Sequence, residues 1–395
     1  MVIRRRSFVG GMLLIPAIIA ACGGKAPQPD MAAVSAGKPV PAEDWRGFAE
    51  YLKQRAAAGE FSGAVLAVRH GKPLLRQGYG MADRQRGIAN TAQTKFDIAS
   101  MGKMFTGVAI AQLVERGKLS FDDKIGNYVS GFPPEVAGKV TIHHLLTHTS
   151  GMDDAALMRR PDRPEPPHTL AGLMERIVKE PLQFEPGSQF NYSNDGFIVL
   201  GAVIERVTGQ RYADYVREHI FKPAGMTDTD IRVYKPSEIP GMAHGYMLVG
   251  EDGQPLPSGP SGPGQGSAAR SGTLRDNDEV RIGNPSGGAY STVGDMLEFA
   301  QALTRHKFLS PALTDTVLTG KVDTNRPGPG EDRYAYGFGD RRINGVRIVG
   351  HNGGSPGYEG QLDIYPDRGY TVVILTNQDQ VLTPALRRSE DMLTR

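Results

Sequence analysis

The sequence predicts an α+β fold: an α/β arrangement of one antiparallel sheet flanked by helices, with a mostly helical subdomain beside it. Three observations carry this expectation. Strand-like segments joined by tight turns occur towards both ends of the 395-residue chain. The stretch between them reads as helices separated by Pro and Gly. A helix that opens at Ser100 is apolar around nearly its whole circumference, which suits a core and not a surface. Paired strands at both ends imply one sheet assembled from residues 42–119 and 285–395, with a helical part and a long loop over 120–284.

The first 21 residues read as a targeting segment. Arg4, Arg5 and Arg6 form a basic head, and an apolar stretch runs from Phe8 to Ala21, interrupted by Gly10, Gly11 and Pro16. It is short for a membrane span and has the flanks of a signal peptide. Arg5-Arg6-Ser7-Phe8-Val9 matches a twin-arginine export signal. Ile19-Ala20-Ala21-Cys22 has the form of a bacterial lipobox, so Cys22 is expected to carry lipid after cleavage. Cys22 is the one cysteine of the chain, which rules out an intramolecular disulfide. Residues 22–41, rich in Gly, Ala, Pro and Lys, read as a flexible tether. The expected location is therefore the bacterial cell envelope, exported and lipid-anchored to a membrane. Removing the three arginines of the leader takes the formal charge from +2 to −1, which gives no electrostatic reason to expect nucleic acid as a partner.

The remaining segments follow in order. A helix is predicted over Asp44–Ala57, then strands Gly63–Arg69 and Pro73–Gly80 around a His70-Gly71-Lys72 turn. Phe96-Asp97-Ile98-Ala99 reads as a short strand that runs directly into the Ser100 helix, which ends near Gly117. Further helices are predicted at Ile142–Leu146, Leu170–Lys179, Asp195–Val207 and Tyr212–Ile220. Residues 251–284 are poor in large apolar side chains and read as a surface excursion, a flap near the site. A helix over Thr292–Thr304 follows, then strands Tyr334–Gly339, Val346–Gly350, Gln361–Tyr365 and Tyr370–Leu375. Pro366-Asp367-Arg368-Gly369 is the turn between the last two. A final helix is predicted over Thr383–Leu393.

Ser100-Met101-Gly102-Lys103 carries the chemistry. Residues i and i+3 share a helical face, so the lysine can reach the hydroxyl. After Lys103 the next charge is Glu115, so the ammonium is expected to sit in low dielectric with a lowered pKa. A partly neutral lysine can take the serine proton. A Ser-x-x-Lys alone is weak, since Ser100 could merely cap a helix. Two further segments strengthen it: Asn191-Tyr192-Ser193-Asn194 before the Asp195 helix, and His351-Asn352-Gly353-Gly354 at the end of a strand.

With these three motifs in this order, the chain resembles the serine beta-lactamase and penicillin-binding-protein superfamily. It is similar within it to class C beta-lactamases, D-alanyl-D-alanine carboxypeptidases, D-aminopeptidases and esterases of that fold. Leu145-Leu146-Thr147-His148-Thr149-Ser150-Gly151 is typical of these relatives. The resemblance implies Ser100 as nucleophile, Lys103 as its base partner, and Tyr192 and Asn194 as the Tyr-x-Asn pair. His351-Asn352-Gly353 takes the Lys-Thr-Gly position, and the backbone N–H groups of Ser100 and Gly354 form the oxyanion hole. Tyr192 would shuttle a proton if nearby positive charge lowers its pKa. Gly353 and Gly354 would let the strand approach substrate closely.

The chain departs from the beta-lactamase pattern at His351, where lysine would supply a fixed cation. Histidine is mostly neutral at pH 7, and acid would be expected to charge it. The implied activity is hydrolysis of small esters or amides, including D-amino-acid and peptidoglycan-derived peptides, through an acyl-enzyme. The alternatives are a class C-like beta-lactamase, or a non-catalytic cell-wall ligand-binding protein on the same scaffold. No cofactor is implied. His144 and His148 have metal-ligand spacing but lack a His-Glu-x-x-His glutamate, so no metal is expected and both are read as structural.

Overall fold

The computed structural model describes residues 39–154, 156–157, 166–256, 272–326 and 330–395. Leader, lipobox, Cys22 and most of the tether lie outside the described residues, as does the centre of the 251–284 excursion.

Apolar alternation builds the sheet. In β1 (Gly63–Arg69), Ala64, Leu66 and Val68 face one hydrophobic cluster, while Val65 and Ala67 face another. A strand buried on both faces needs cover on both. One cover is α1 (Ala42–Ala57), which lays Trp45, Phe48 and Leu52 on the sheet together with the C-terminal helix Leu382–Leu393. The other is the helical layer around α2 (Lys103–Glu115), whose residues from Lys103 to Leu113 are all buried.

The other strands of this sheet are β2 (Lys72–Tyr79), β7 (Val322–Asp323), β8 (Glu331–Tyr334), β9 (Gly339–Ile343), β10 (Val346–Ser355), β11 (Tyr358–Tyr365) and β12 (Tyr370–Thr376). Eight strands pair antiparallel in the order β7-β8-β9-β10-β11-β12-β1-β2. The N-terminal hairpin thus docks on the last C-terminal strand, with Gly63 opposite Thr376 and Arg69 opposite Tyr370. The expected sheet from both terminal parts forms.

Several local expectations need correction. The predicted strand Tyr334–Gly339 is two strands split by a turn: the Ala335 N–H donates to Phe338 O at 2.7 Å, and Gly337 takes φ +82°. β10 runs on to Ser355, so His351 to Gly354 lie inside the strand and not at its end. Ser100–Gly102 form a 3-10 turn, and α2 begins at Lys103. The middle of the chain also holds strands. β4 (Gly245–Val249) pairs with β5 (Thr273–Asn277), which emerges from the segment read as a loop.

Two more elements position the site. β3 (Phe96–Ala99) pairs with β6 (Ala289–Ser291) and leads into Ser100. The helix α5 (Asn194–Thr208) carries the second motif at its start. The helices predicted at Ile142–Leu146 and Leu170–Lys179 also form, over α3 (Ile142–Leu146) and α4 (Leu170–Ile177).

Candidate active site

Ser100 sits on an elbow. Ala99, the residue before it, has φ +44° and ψ −129°, a conformation costing about 1–3 kcal/mol for a residue with a Cβ. The buried Asp97 holds it there: its Oδ1 accepts the Ala99 N–H at 2.7 Å. Arg281 lies 3.8 Å from the Asp97 carboxylate and donates to Pro356 O at 2.9 Å, tying the elbow to the β10–β11 turn. Burial raises the Asp97 pKa, and Arg281 opposes that rise. Gly287 closes the other side. A Cβ there would fall 2.5 Å from Ala99 O, so only glycine lets the strands meet.

Lys103 is fully buried, with its Nζ 3.2 Å from Ser100 Oγ. It donates to Asn194 Oδ1 at 2.6 Å and to the Ser286 carbonyl at 2.7 Å. The Tyr192 and Phe197 rings flank it at 4.7 and 5.5 Å. Desolvation brings its pKa down to about 7, against the pull of the Asp154 carboxylate. The two oxygens can only accept, so they consume two N–H donors. The remaining position on nitrogen faces Ser100: a lone pair when the amine is neutral, a proton when it is charged. The Ser286 carbonyl is held in place by its neighbours. Thr106 of α2 donates to Pro285 O at 2.6 Å, and the Ser286 N–H and O–H both donate to Asn284 Oδ1.

Tyr192 packs its ring against His148, with centroids 4.2 Å apart, beside Tyr334 and His351. Its phenol is raised well above the ordinary value by burial, against the smaller opposing pulls of Ser100 and Arg326. This corrects the expectation that positive charge would lower it. The side chain is a protonated phenol at neutral pH and can donate. Asn194 begins α5, and the capping oxygen is that of Ser193, which accepts from the Gly196 N–H at 3.2 Å.

His351 is buried, and desolvation with the Lys103 charge lowers its pKa to about 3. Its Nδ1 bonds the Asn352 carbonyl, an acceptor, so the ring proton is on Nδ1. Nε2 then accepts from Tyr334 Oη at 2.8 Å. Both nitrogens are occupied and neutral, so acid in the working range will not charge this ring, contrary to the expectation above. Gly353 presses β10 onto β3: a Cβ there would lie 2.2 Å from Ile98 O. Ser100, Asn194, Arg281, Ser286, Gly287 and Gly354 line a common cleft of about 250 Å³.

The two histidines at metal-ligand spacing part company. His144 completes a capping box with Thr141. His148 lies beyond the helix at φ +57°, and its Nδ1 accepts the Ser193 N–H at 3.1 Å. Among the described residues no group of ligands fit for a metal occurs.

Sequence reading missed Asp154, Tyr334, Arg326 and the Ser286 carbonyl. Asp154 accepts both the backbone N–H and the side-chain amide of Asn194, the latter at 3.0 Å. It follows Ser150-Gly151-Met152 in a turn, where no periodicity marks a residue.

Comparison with known proteins agrees with this geometry. Residues 48–393 match the Beta-lactamase family. The chain is 31% identical over 337 residues to penicillin-binding protein 4* of Bacillus subtilis strain 168, covering 81% of this chain and 69% of that protein. It is 30% identical over 370 residues to esterase EstB of Burkholderia gladioli, covering 84% and 88%. The crystal structure of a penicillin-binding protein from Bacillus halodurans superposes with a TM-score of 0.70 at 30% identity, covering 87% of this chain and 99% of that one. A match that spans nearly every described element, joined to a serine within reach of a buried lysine, places the chain in the Beta-lactamase family as a serine hydrolase.

Proposed function

We propose that the protein hydrolyses small esters or amides, peptides ending in D-amino acids among them, through an acyl-enzyme on Ser100. The observation that carries this is the Lys103 amine, whose only position not taken by pure acceptors faces the Ser100 hydroxyl. Neutral Lys103 takes the Ser100 proton as Oγ bonds to the substrate carbonyl carbon. The carbonyl oxygen becomes an oxyanion received by the Ser100 and Gly354 N–H groups. The intermediate collapses, the bond to the leaving group breaks, and that group takes a proton from Tyr192. Lys103 restores the phenol. Water then attacks the acyl-enzyme by the reverse proton path, freeing the acid and Ser100.

The likeness to an esterase and to a penicillin-binding protein supports ester and peptide substrates alike. A neutral His351 where beta-lactamases carry lysine favours uncharged esters over penicillins. The lipobox at Cys22 supports a lipid-anchored enzyme of the cell envelope, and among the described residues no helix is long and apolar enough to cross a membrane.

The test is intact-mass analysis after incubation with a nitrophenyl ester, a D-alanyl-D-alanine peptide and a penicillin. The expected result is an adduct from the ester or peptide that Ser100→Ala abolishes. A penicillin adduct that turns over faster than either would make the protein a beta-lactamase. An adduct that persists in Ser100→Ala would overturn the assignment of the nucleophile.

A further inference from the structure

The lysine's alignment depends on which way the Asn194 amide faces, and Asn194 has no means of choosing on its own. An amide can present either its oxygen or its NH2 to a neighbour, and the two ends are nearly equal in size. In this site one end meets Lys103 and the other meets Asp154. Asp154 Oδ2 accepts from Asn194 Nδ2 at 3.0 Å, and its Oδ1 accepts the Asn194 backbone N–H. A carboxylate can only accept, so the NH2 must face Asp154 and the oxygen must face Lys103. The loop bearing Asp154 is anchored on both sides: Ser193 Oγ donates to Asp153 O at 3.2 Å, and the Ala156 N–H donates to the buried Asp195 carboxylate at 3.1 Å.

We propose that Asp154 is a positioning residue for the hydrolytic reaction, clamping the Asn194 amide so that Lys103 spends one N–H on it and turns its remaining position to Ser100. The inference rests on the acyl-enzyme reading above. With the clamp removed the amide can flip and offer NH2 to the lysine. Neutral Lys103 would then spend its lone pair on Asn194, and Ser100 would lose its proton acceptor.

The same carboxylate acts on Lys103 through its charge; burial raises its own pKa, and the Asn194 N–H donors and the Lys103 charge oppose that rise. Among the described residues, Tyr192, His148 and His351 beside the ammonium are neutral at working pH, and the Arg326 guanidinium lies 5.9 Å from the Tyr192 ring. Asp154 therefore holds the lysine's titration up, against desolvation. Its removal should lower that titration, so the proton acceptor becomes available at lower pH.

The experiment compares wild type, Asp154→Asn and Asp154→Ala by kcat/KM for a nitrophenyl ester from pH 5 to 9. That profile reports free-enzyme ionisations. Both variants should move the acidic limb to lower pH, by half a unit or more. Asp154→Ala should also drop the plateau about tenfold or more, through kcat and not KM. Asp154→Asn, which keeps one acceptor oxygen and the side-chain size, should lose less. Asp154→Glu should restore the limb towards wild type. A limb unmoved in the soluble Asp154→Asn protein, with a plateau within threefold, would overturn the proposal, and a merely structural aspartate predicts that outcome. The two readings fail separately. If fluorophosphonate still labels Ser100→Ala, the acyl-enzyme reading falls. If that labelling is lost yet the Asp154→Asn limb stays put with a plateau within threefold, only the clamp falls.

Discussion

At the scale of single residues, burial keeps the titratable groups of the site in their neutral forms. Lys103 has lost enough solvent to titrate near 7, His351 is neutral, and Tyr192 keeps its proton. In the proposed mechanism Lys103 must be neutral to take the serine proton, so activity rises with pH. The ester kcat/KM of the wild type should therefore climb through about pH 7 and show no limb from His351 between pH 5 and 9. Tyr192→Phe keeps the ring that packs on His148 and removes the donor. Turnover should fall by about 100-fold or more if the phenol supplies the leaving-group proton. A change under threefold, measured by steady-state ester hydrolysis, would leave Tyr192 as packing alone. Ser100 and Lys103 could be placed together from spacing because a helical i, i+3 pair needs no tertiary knowledge. Asp154 and Tyr334 could not, since each meets its partner across 17 or more residues of chain.

At the scale of elements, the Ser100 elbow is squeezed between two glycine contacts, Gly287 on the β6 side and Gly353 on β10. Gly353→Ala would drive a methyl into the Ile98 carbonyl, and strand backbone cannot yield as a side-chain tip can. We expect a loss of about 1–3 kcal/mol in stability and a larger proportional loss in fluorophosphonate labelling rate, read by thermal melts and timed labelling. Equal labelling rates would mean that β10 can shift without disturbing Ser100. The elements themselves were legible in proportion to their apolar period. α2 and β12 declare themselves, since nearly every side chain is buried. β5 does not: Thr273, Leu274, Arg275, Asp276 and Asn277 form half of a two-stranded ribbon with no continuous apolar face. The 335–338 turn was hidden by Tyr334, Ala335, Tyr336 and Phe338, whose apolar run imitates a strand.

For the molecule as a whole, the C-terminal helix is joined to the sheet through a buried acid. Glu359 of β11 accepts the N–H groups of Val381 and Leu382 at 3.1 and 2.9 Å. Burial raises its pKa to about 7. A carboxyl with a higher pKa folded than unfolded binds its proton more tightly in the native state. Its contribution is complete below the unfolded value and is lost as pH rises through about 7. Asp379, raised to about 6, acts in the same direction. His351, His148 and Lys103, whose pKa values burial lowers, act in the opposite direction, so the Glu359 contribution is read as a difference: the melting temperature of wild type minus that of Glu359→Gln should fall between pH 5 and pH 8. A difference that stays flat over that range would assign the pH dependence to other groups.

The two outermost helices share the sheet face turned away from the Ser100 layer, and Arg395 reaches to within 3.6 Å of Asp44. A short peptide bridge could therefore join the two ends of the folded unit without crossing the cleft. The chain is thus a natural subject for circular permutation, with new termini opened at the exposed Asp252-Gly253 turn. In such a rearranged chain the strand order, the elbow and the buried amine would all be preserved, while β12 and β1, already paired in space, would become consecutive strands of the sheet along the chain.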